Sequence, residues 1–381
     1  MRQIYFDYNA TTPVHPAVIE AFSVFYRESF GNPSSIHWAG RAVKGAIEEA
    51  REKVAGLVSC DPVEVVFTSS GTEADNMAIK GVAHALRGRG NRIITSATEH
   101  PAVLNPLNHL ENLGFDVIKL AVNRDGLPDL TELAAAMTDK TILVSFMYAN
   151  HETGTINPVR EIGEISARHK VYFHCDAVQA LGKIPVNFRD DGISLMAISW
   201  HKLYAPKGIG ALIVRKGVKL APLMHGGPQE RNRRAGTENV AGIVAFGKAC
   251  EIALNDMTND SLRIRALRDR LENGILAGIP EVRVNGFRDN RLHNTSCLSF
   301  LDADAESIIL NLDIKGIAVS SGSACASGTV KASPVLAAMG VDPGHSRGAI
   351  RFSLGRENSA EEIDFLLQVF PEIVARVRGK H

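Results

Sequence analysis

Lys202 is the residue of this sequence best placed for covalent chemistry. It follows Ser199, Trp200 and His201 at the end of a predicted strand over residues 194–199. Burial at a strand end disfavours the charged form of a lysine, and a neutral amine forms a Schiff base with an aldehyde. Ser199 and His201 are candidate phosphate ligands beside it. A solvated loop lysine is the alternative, and it is the commoner case for any single lysine.

A second motif, SSGTE at residues 69–73, joins a predicted strand to a predicted helix. Backbone N–H groups at such a helix start favour a phosphate, and Gly71 allows the backbone to approach it closely. Thr72 adds a hydroxyl donor. A plain helix N-cap at Ser70 or Thr72 is the alternative.

Asp176 follows a third predicted strand, in the motif HCDAVQ at residues 174–179. Open α/β sheets bind ligands outside the carboxyl ends of their strands, and a carboxylate there can pair with a protonated ring nitrogen. A helix cap is the alternative. A phosphate cradle, a carboxylate and a Schiff-base lysine at successive strand ends are together what pyridoxal 5'-phosphate requires of a protein.

Cys325 lies in a stretch of almost entirely small residues, SSGSACASGTV at 320–330. The stretch offers little side-chain area to bury, so we expect it to be exposed and mobile. A free thiol has a pKa near 8.5, so roughly a few per cent is nucleophilic thiolate at neutral pH. The remaining cysteines are predicted to be small buried hydrophobes: Cys60, Cys175, Cys250 and Cys297.

Alternating strands and helices must position these residues. Strands are predicted at 63–68, 92–95, 117–120, 141–147, 171–175 and 194–199, and helices at 39–58 and 73–86. This alternation predicts an α/β protein with a mainly parallel sheet that is covered on both faces.

The pattern changes after about residue 255. Helices are predicted at 262–276, 305–312 and 360–377, and strands at 281–285, 295–300 and 349–354. We therefore expect a large domain over residues 15–255. Residues 1–14 and 256–381 would form a smaller α+β domain that carries the Cys325 stretch, and the charged helix 260–273 is the expected boundary element.

Composition argues against several classes of protein. The 381 residues contain 42 Lys and Arg against 42 Asp and Glu, so a nucleic-acid or anionic-membrane partner has no electrostatic support. No signal-peptide region or membrane-length apolar run occurs, so we expect a cytoplasmic protein. The five scattered cysteines include no C-x-x-C pair, which predicts neither a disulfide framework nor a metal site.

Over nearly its whole length the chain resembles the cysteine desulfurases of the nitrogen-fixation and iron–sulfur-cluster type. These are class V aminotransferases of the pyridoxal-phosphate fold type I. The resemblance is carried by YFDYNATTP at 5–13, FGNPSS at 30–35, FTSSGTE at 67–73, TEHPAV at 98–103, ANHETG at 149–154, DAVQ at 176–179, HKLYAPKG at 201–208, RAGTEN at 234–239, SSGSAC at 320–325 and IRFSLG at 350–355.

The resemblance implies roles around the cofactor. Lys202 would hold pyridoxal 5'-phosphate and move the substrate's α-proton, Asp176 would pair with the pyridinium nitrogen, and Gln179 would contact the phenolic oxygen. His100 would stack on the ring and take part in proton transfer, with a helix start as the alternative. The implied phosphate ligands are Gly71, Thr72, Ser199 and His201, with Thr237 from the neighbouring subunit of a homodimer.

The resemblance also implies how the substrate is handled. Arg351, helped by Asn150, would bind the carboxylate of L-cysteine, because a planar guanidinium matches a carboxylate bidentately. A structural ion pair is the alternative for Arg351. Cys325 would take the sulfur as a persulfide, release L-alanine and serve a sulfur-acceptor protein such as an iron–sulfur scaffold.

One position departs from the family, which usually has glycine where this chain has Trp200. If that glycine uses a positive φ, tryptophan would be strained there. Alternatively, the indole would fill part of the pocket wall and change the pocket volume and the substrate range.

Three other functions compete with desulfuration. A selenocysteine lyase would share this site, and a true aminotransferase would have no need of a loop cysteine. A sulfur carrier or scaffold without catalysis is opposed by the intact Lys202, Asp176 and Arg351.

Overall fold

The computed structural model describes residues 3–321 and 333–379. Its strands are β1 (Ile4–Tyr5), β2 (Val65–Thr68), β3 (Arg92–Ser96), β4 (Asp116–Leu120), β5 (Thr141–Ser145), β6 (Tyr172–Asp176), β7 (Leu195–Ser199), β8 (Gly210–Val214), β9 (Val282–Asn285), β10 (Thr295–Phe300), β11 (Ile317–Ala318) and β12 (Ala349–Ser353).

The helices connect and cover these strands. They are α1 (Pro16–Glu28), α2 (Trp38–Val58), α3 (Gly71–Leu86), α4 (Pro101–Asn112), α5 (Leu130–Ala136), α6 (Val159–Arg168), α7 (Gln229–Asn232), α8 (Val240–Gly278), α9 (Ala305–Ile314), α10 (Pro334–Ala338), α11 (Pro343–Ser346) and α12 (Ala360–Val377). Two 3-10 turns, Pro62–Glu64 and Trp200–Lys202, precede β2 and follow β7.

The main sheet has seven strands in the order β2-β8-β7-β6-β5-β3-β4. Strand β8 is antiparallel to β2 and β7, and the pairings among β3 to β7 are parallel. The predicted α/β class with a mainly parallel sheet is confirmed. Strands β5, β7 and β8 are buried along their whole length, as expected for a sheet covered on both faces. Strand β8 was not predicted from the sequence.

Each face of this sheet has its own hydrophobic core. Helices α3 and α4 cover one face, with Met77, Ile79 and Leu107 in the core. Helices α2 and α6 and the first part of α8 cover the other, where Phe246 is buried. Because parallel strands need long crossover connections, the helices between successive strands supply these layers.

The C-terminal part of the chain forms a second sheet. Its antiparallel strands run in the order β12-β10-β9, and β1 pairs with β11 as a separate parallel ribbon. Their core also contains α9, α12 and the second part of α8. An isolated bridge from Asp7 to Ser353 attaches the N-terminal segment to β12.

Helix α8 differs from the prediction of a helix over 262–276. It is continuous for 39 residues and passes through residue 255 without a break. Its buried residues contribute to the large core up to Ala253 and to the smaller core from Ile264 onward. Residues 254–263 contain no buried side chain, so the amphipathic pattern lapses there although the helix continues. The division into domains at residues 14 and 255 stays a prediction, and its second boundary falls inside α8.

No helix in the described ranges combines the length and the apolar character needed to cross a bilayer.

A buried ion pair fixes the edge strand that leads to the SSGTE motif. The Arg51 guanidinium bonds both carboxylate oxygens of Glu230, at 2.9 and 2.8 Å, and both side chains are 3% exposed. Glu230 Oε2 also accepts a hydrogen bond from Phe67 N in β2 at 2.9 Å, and Arg51 donates to Val65 O. Residues of α2 and α7 therefore satisfy backbone groups of β2 and hold its position.

Arg51→Leu should lower the free energy of unfolding by about 3–5 kcal/mol, because it leaves the Glu230 carboxylate buried without its cation. Urea titration gives the measurement. Arg270→Leu breaks the exposed pair with Asp364 and is the matched control, expected to cost under about 1 kcal/mol. Equal losses in the two variants would contradict the anchoring role of Arg51.

Candidate functional site

A cavity of about 300 Å³ lies at the carboxyl ends of the main sheet. Its walls come from segments that follow β2, β3, β5, β6 and β7, where open α/β sheets bind ligands. The lining residues are Asn9, Ala10, Ser70, Gly71, Thr72, Asp75, His100, Ala102, Met147, Ala149, His151, Asp176, Val178, Gln179, Ser199, His201, Lys202 and Arg351.

Most of the predicted site residues meet in this cavity. Asn150 and Thr237 are not in its lining, and Cys325 lies outside the described residues. Those in the lining are Gly71, Thr72, His100, Asp176, Gln179, Ser199, His201, Lys202 and Arg351.

Helix α3 begins at the cavity wall. Ser70 is its N-cap, and Ser70 Oγ accepts a hydrogen bond from Glu73 N at 3.1 Å. A Cβ on Gly71 would lie 2.9 Å from Val178 Cγ2 and 3.1 Å from Ser199 Cβ, so a side chain there would crowd the cavity wall. The capping alternative is therefore correct for Ser70. It does not conflict with anion binding, since the backbone N–H groups of the same helix start face a wall kept open by glycine.

Lys202 enters the cavity from the 3-10 turn after β7. Its Nζ donates to the carbonyl oxygens of Asn9, at 2.6 Å, and Ala10. The turn is fixed by the N-terminal segment, because His201 O accepts from Thr12 N at 2.9 Å. Burial lowers the pKa of His201 to about 4, with the charges of Lys202 and Lys207 acting in the same direction. The histidine beside Lys202 is therefore a neutral imidazole at neutral pH.

Asp176 ends β6 as a buried carboxylate. Its Oδ1 accepts from Val178 N at 2.9 Å, which forms a turn rather than the cap of an α-helix. The pKa of Asp176 is raised to about 7, chiefly by burial and also by the nearby Asp75, against the opposing effect of His100. A cationic ring nitrogen at this carboxylate would offset the cost of its burial.

Two more buried acids lie behind Asp176. Asp75, on α3, is 1% exposed, and its Oδ1 lies 3.4 Å from His174 Nε2. Glu99 accepts from Met147 N at 2.8 Å. Burial raises the pKa of both acids well above the ordinary values, and for Glu99 the charges of Asp176 and Asp75 add to the effect. Burial thus favours the neutral form of both acids.

His100 is at once the N-cap of α4 and part of the cavity wall. Its Nδ1 accepts from Ala102 N at 3.1 Å, so the proton of the neutral ring is on Nε2. Burial lowers the pKa of His100, although Asp176 partly counteracts it. The ring meets that of His151 edge to face, with centroids 5.2 Å apart. The helix-start alternative is correct, and it leaves the ring in the cavity wall.

Arg351 lines the cavity from β12 and is already ion-paired. Its Nη2 lies 2.7 Å from Asp7 Oδ1, and its Nη1 donates to His151 O at 3.1 Å. Among the described residues, its buried Nε has no hydrogen-bond partner. The structural ion-pair alternative is therefore present, and it fixes the guanidinium plane while N–H groups stay available at the cavity.

Asn150 and Thr237 lie outside the cavity lining. Asn150 is buried, and its Oδ1 accepts from Glu152 N at 2.9 Å and Thr153 N at 3.0 Å, which holds the turn next to His151. Thr237 is exposed. The substrate role of Asn150 and the contribution of Thr237 to a neighbouring subunit stay predictions.

The expectation that Trp200 would be strained or would narrow the cavity is wrong. Trp200 has no positive φ, does not line the cavity and is fully buried in the large core against Phe246. Trp200 begins the 3-10 turn after β7, and its side chain points into the core, whereas Ser199, His201 and Lys202 line the cavity.

The four cysteines predicted to be buried hydrophobes do not line the cavity. Cys175, Cys250 and Cys297 are buried as predicted, whereas Cys60 is only half-buried. Burial raises the pKa of Cys60 and Cys297 to about 12, so these thiols stay protonated at neutral pH. They are poor nucleophiles for that reason.

Sequence reasoning missed Asp75, His151 and Asn9 as parts of the site. Asp75 had a signal, since it shares the apolar face of α3 with Ala78 and Ile79, where a carboxylate is out of place. His151 and Asn9 lie in quoted motifs, but nothing in their spacing shows that these loops reach the cavity.

The arrangement defines an α/β enzyme with its site at the carboxyl ends of a mainly parallel sheet, combining a helix N-terminus, a buried acid and a lysine. The chain belongs to the class V aminotransferase family, whose model matches residues 4–366.

Named relatives are similar over the full length. The chain is 49% identical over 377 residues to the cysteine desulfurase IscS of Dictyoglomus turgidum, with 99% of this chain and 96% of that one covered. A solved NifS-like protein has a TM-score of 0.93 and 38% identity, covering 98% of this chain and 100% of that one. SspA in complex with cysteine has a TM-score of 0.83 and 34% identity, covering 92% and 99%.

At pH 8, Asp75→Asn should have a higher free energy of unfolding than the parent. The difference between variant and parent should be smaller at pH 5. The raised pKa keeps Asp75 protonated in the folded state, so the parent loses stability as the pH rises above the ordinary value of 3.8. The variant's advantage in free energy of unfolding should be larger at pH 8 than at pH 5 by more than about 1.4 kcal/mol, the equivalent of one pKa unit.

Urea titrations at pH 5 and pH 8 give this difference. The exposed Asp313→Asn is the control and should change the free energy of unfolding by less than about 0.5 kcal/mol at either pH. The same pH dependence in Asp75→Asn and the parent would show that Asp75 is charged in the folded protein.

Proposed function

We propose that this cysteine desulfurase binds pyridoxal 5'-phosphate on Lys202 and leaves the sulfur of L-cysteine on Cys325 as a persulfide, with L-alanine as the second product. The observation that carries the proposal is the convergence of Lys202, Asp176 and the start of α3 in one cavity.

The residues of the cavity fit this cofactor. The wall at Gly71, which a Cβ would crowd, suits the phosphate at the start of α3, beside Thr72 and Ser199. Asp176 suits the pyridinium nitrogen. The volume of about 300 Å³ lies at the lower end of the range of small-molecule sites. When bound, the cofactor supplies an electron sink for the charge left on the substrate's Cα.

The chain's own groups then bind and deprotonate the substrate. The guanidinium of Arg351 receives the carboxylate in an orientation that Asp7 and His151 O fix beforehand. Lys202 takes the α-proton, and the carbonyls of Asn9 and Ala10 hold its amine within the site. His100 packs on the ring and, with Nδ1 engaged at Ala102 N, offers its Nε2 proton.

Sulfur transfer requires a thiolate within reach of the cavity. Cys325 attacks the substrate's sulfur, and the C–S bond breaks with its electrons left on the β-carbon, which takes up a proton. Lys202 returns a proton to Cα, and the product is L-alanine. The persulfide then awaits an acceptor or a reductant.

The described ends of the Cys325 segment support this reach. Arg351 N donates to Ser320 O at 2.7 Å, and Ser333 Oγ donates to Glu152, the neighbour of the cavity residue His151. Cys325 follows Ser321 by four positions, which is at most roughly 14 Å of fully extended chain. The segment is therefore tied to the cavity wall at both ends.

The wider setting belongs to the same proposal. The enzyme acts as a homodimer in which Thr237 completes the phosphate site of the neighbouring subunit, and its exposure leaves it accessible for that contact. Asn150 assists Arg351. The sulfur goes to an acceptor protein such as an iron–sulfur scaffold, in the cytoplasm. The names of the relatives support the substrate and the sulfur transfer.

Lys202→Ala should abolish covalent attachment of the cofactor. After treatment with pyridoxal phosphate and borohydride, the intact mass of the parent should increase by one reduced cofactor, whereas that of the variant should not. Lys207→Ala, at an exposed lysine of the same loop, is the control and should be labelled like the parent. Full labelling of Lys202→Ala would rule out this lysine as the attachment site.

Cys325→Ala should bind the cofactor and change its spectrum on addition of L-cysteine, yet form no alanine over many turnovers and no protein persulfide. The reason is that the attacking thiolate is absent while the binding groups stay in place. Alanine and persulfide assays give the measurement, with Cys60→Ala as the control expected to retain most of the activity. Alanine release by Cys325→Ala near the parent rate would refute sulfur transfer to this residue.

A further inference from the structure

Lys183 is a basic residue close to the cavity that the proposed mechanism does not use. It is not in the cavity lining but lines a small neighbouring pocket, which Lys202 also lines. Its Nζ donates to Gln179 Oε1 at 2.8 Å and to Asn9 Oδ1 at 3.1 Å. Both acceptors belong to cavity residues, so the amine lies one hydrogen bond behind the wall.

The turn after β6 brings Lys183 to this position. Gly182 has φ of +69°, and a Cβ there would collide with Leu203. Glycine adopts this left-handed conformation without the strain of a side chain. The turn therefore places the side chain of Lys183 next to that of Gln179, four residues earlier.

The amine lies beside a small pocket whose titratable lining groups include His293, Asp260 and Arg356. Burial lowers the pKa of Lys183 well below its ordinary value, and the positive charges of Lys202 and Arg351 add to this effect. Burial also lowers the pKa of His293, to about 3. In the described part of the chain, Lys183 forms no ion pair with a carboxylate, and its hydrogen bonds go to two amide oxygens.

These contacts determine how the Gln179 amide is oriented. A glutamine has a carbonyl oxygen on one side of its amide and two N–H groups on the other. The oxygen accepts from Lys183, and Nε2 donates to Asn9 O at 3.0 Å, which leaves one N–H for a ligand. A rotated amide would place its oxygen against the carbonyl of Asn9 and lose that hydrogen bond, whereas the observed orientation satisfies both Asn9 O and Lys183 Nζ.

We propose that Lys183 is a positioning residue that fixes the Gln179 amide so that the cavity offers a hydrogen-bond donor, not an acceptor, to the ring oxygen of bound pyridoxal phosphate. The inference rests on the proposed function, because it requires that cofactor in the cavity. A donor at this oxygen stabilises its anionic form and lowers the pH at which the bound cofactor loses its proton.

The test is a spectrophotometric pH titration of the bound cofactor in the holoenzyme. Lys183→Met removes the donor to Gln179 Oε1 and keeps a long unbranched side chain. The absorbance midpoint should move upward by about one pH unit, the size expected when a hydrogen bond to one protonation state is lost. Lys183→Gln keeps an N–H donor without a charge, so its midpoint should stay near that of the parent.

A double-mutant cycle separates the effect on Gln179 from a general change of the site. Gln179→Leu should raise the midpoint by itself, and Lys183→Met on that background should add no further shift. If Lys183→Met does not fold, Gln179→Glu in the parent provides the test. Its carboxylate offers an acceptor to the ring oxygen, so the midpoint should again move upward.

Three results would overturn the inference. They are an unchanged midpoint in Lys183→Met, an equal shift in Lys183→Gln, or a full additional shift of Lys183→Met on the Gln179→Leu background. An unchanged midpoint in Gln179→Glu would overturn it equally. A parent protein that takes up no pyridoxal phosphate would instead refute the proposed function, so the two failures are distinguishable.

Discussion

The hydrogen bonds of Asn9 are the constraint on which the site depends. Its backbone oxygen accepts from both Lys202 Nζ, at 2.6 Å, and Gln179 Nε2, at 3.0 Å. Its side chain bonds Asn294 and Thr295 of the smaller core region. One buried residue of the N-terminal segment therefore joins the carboxyl edge of the main sheet to the start of β10 at the cavity wall.

Low polarity around this junction sets the charge state of the site. Burial disfavours charge in acids and bases alike, so it raises the pKa of Asp176 to about 7 and lowers that of His201 to about 4. In the same way, burial raises the pKa of Asp75 and Glu99 and lowers the pKa of Lys183. Burial thus favours the neutral forms of these groups in the absence of a ligand. Pairing with a charged ligand then favours their charged forms.

The strand-end motifs could be predicted because topology determines their meeting place. In a mainly parallel sheet, carboxyl ends share one edge, so Gly71, Asp176 and Lys202 converge although more than a hundred residues separate the first from the others. The presence of His151 and Asn9 in the cavity wall and the orientation of the Asn150 amide could not be predicted, since they depend on loops packing from elsewhere in the chain. The helix predicted over 262–276 is shorter than α8 for a related reason. Residues 254–263 lie between two cores, and neither core imposes an apolar face there.

Trp200 shows why a departure from a family pattern must be judged by the direction of the side chain. It lies between two cavity residues at the start of a 3-10 turn, yet its indole is buried in the core and does not line the cavity. The indole instead packs on Phe246 of α8, with Phe67 of β2 in edge contact with the same phenyl ring. A bulky residue at this position therefore fills the core between the sheet and α8. It supports the turn that carries Lys202 from the core side and forms no part of the cavity wall.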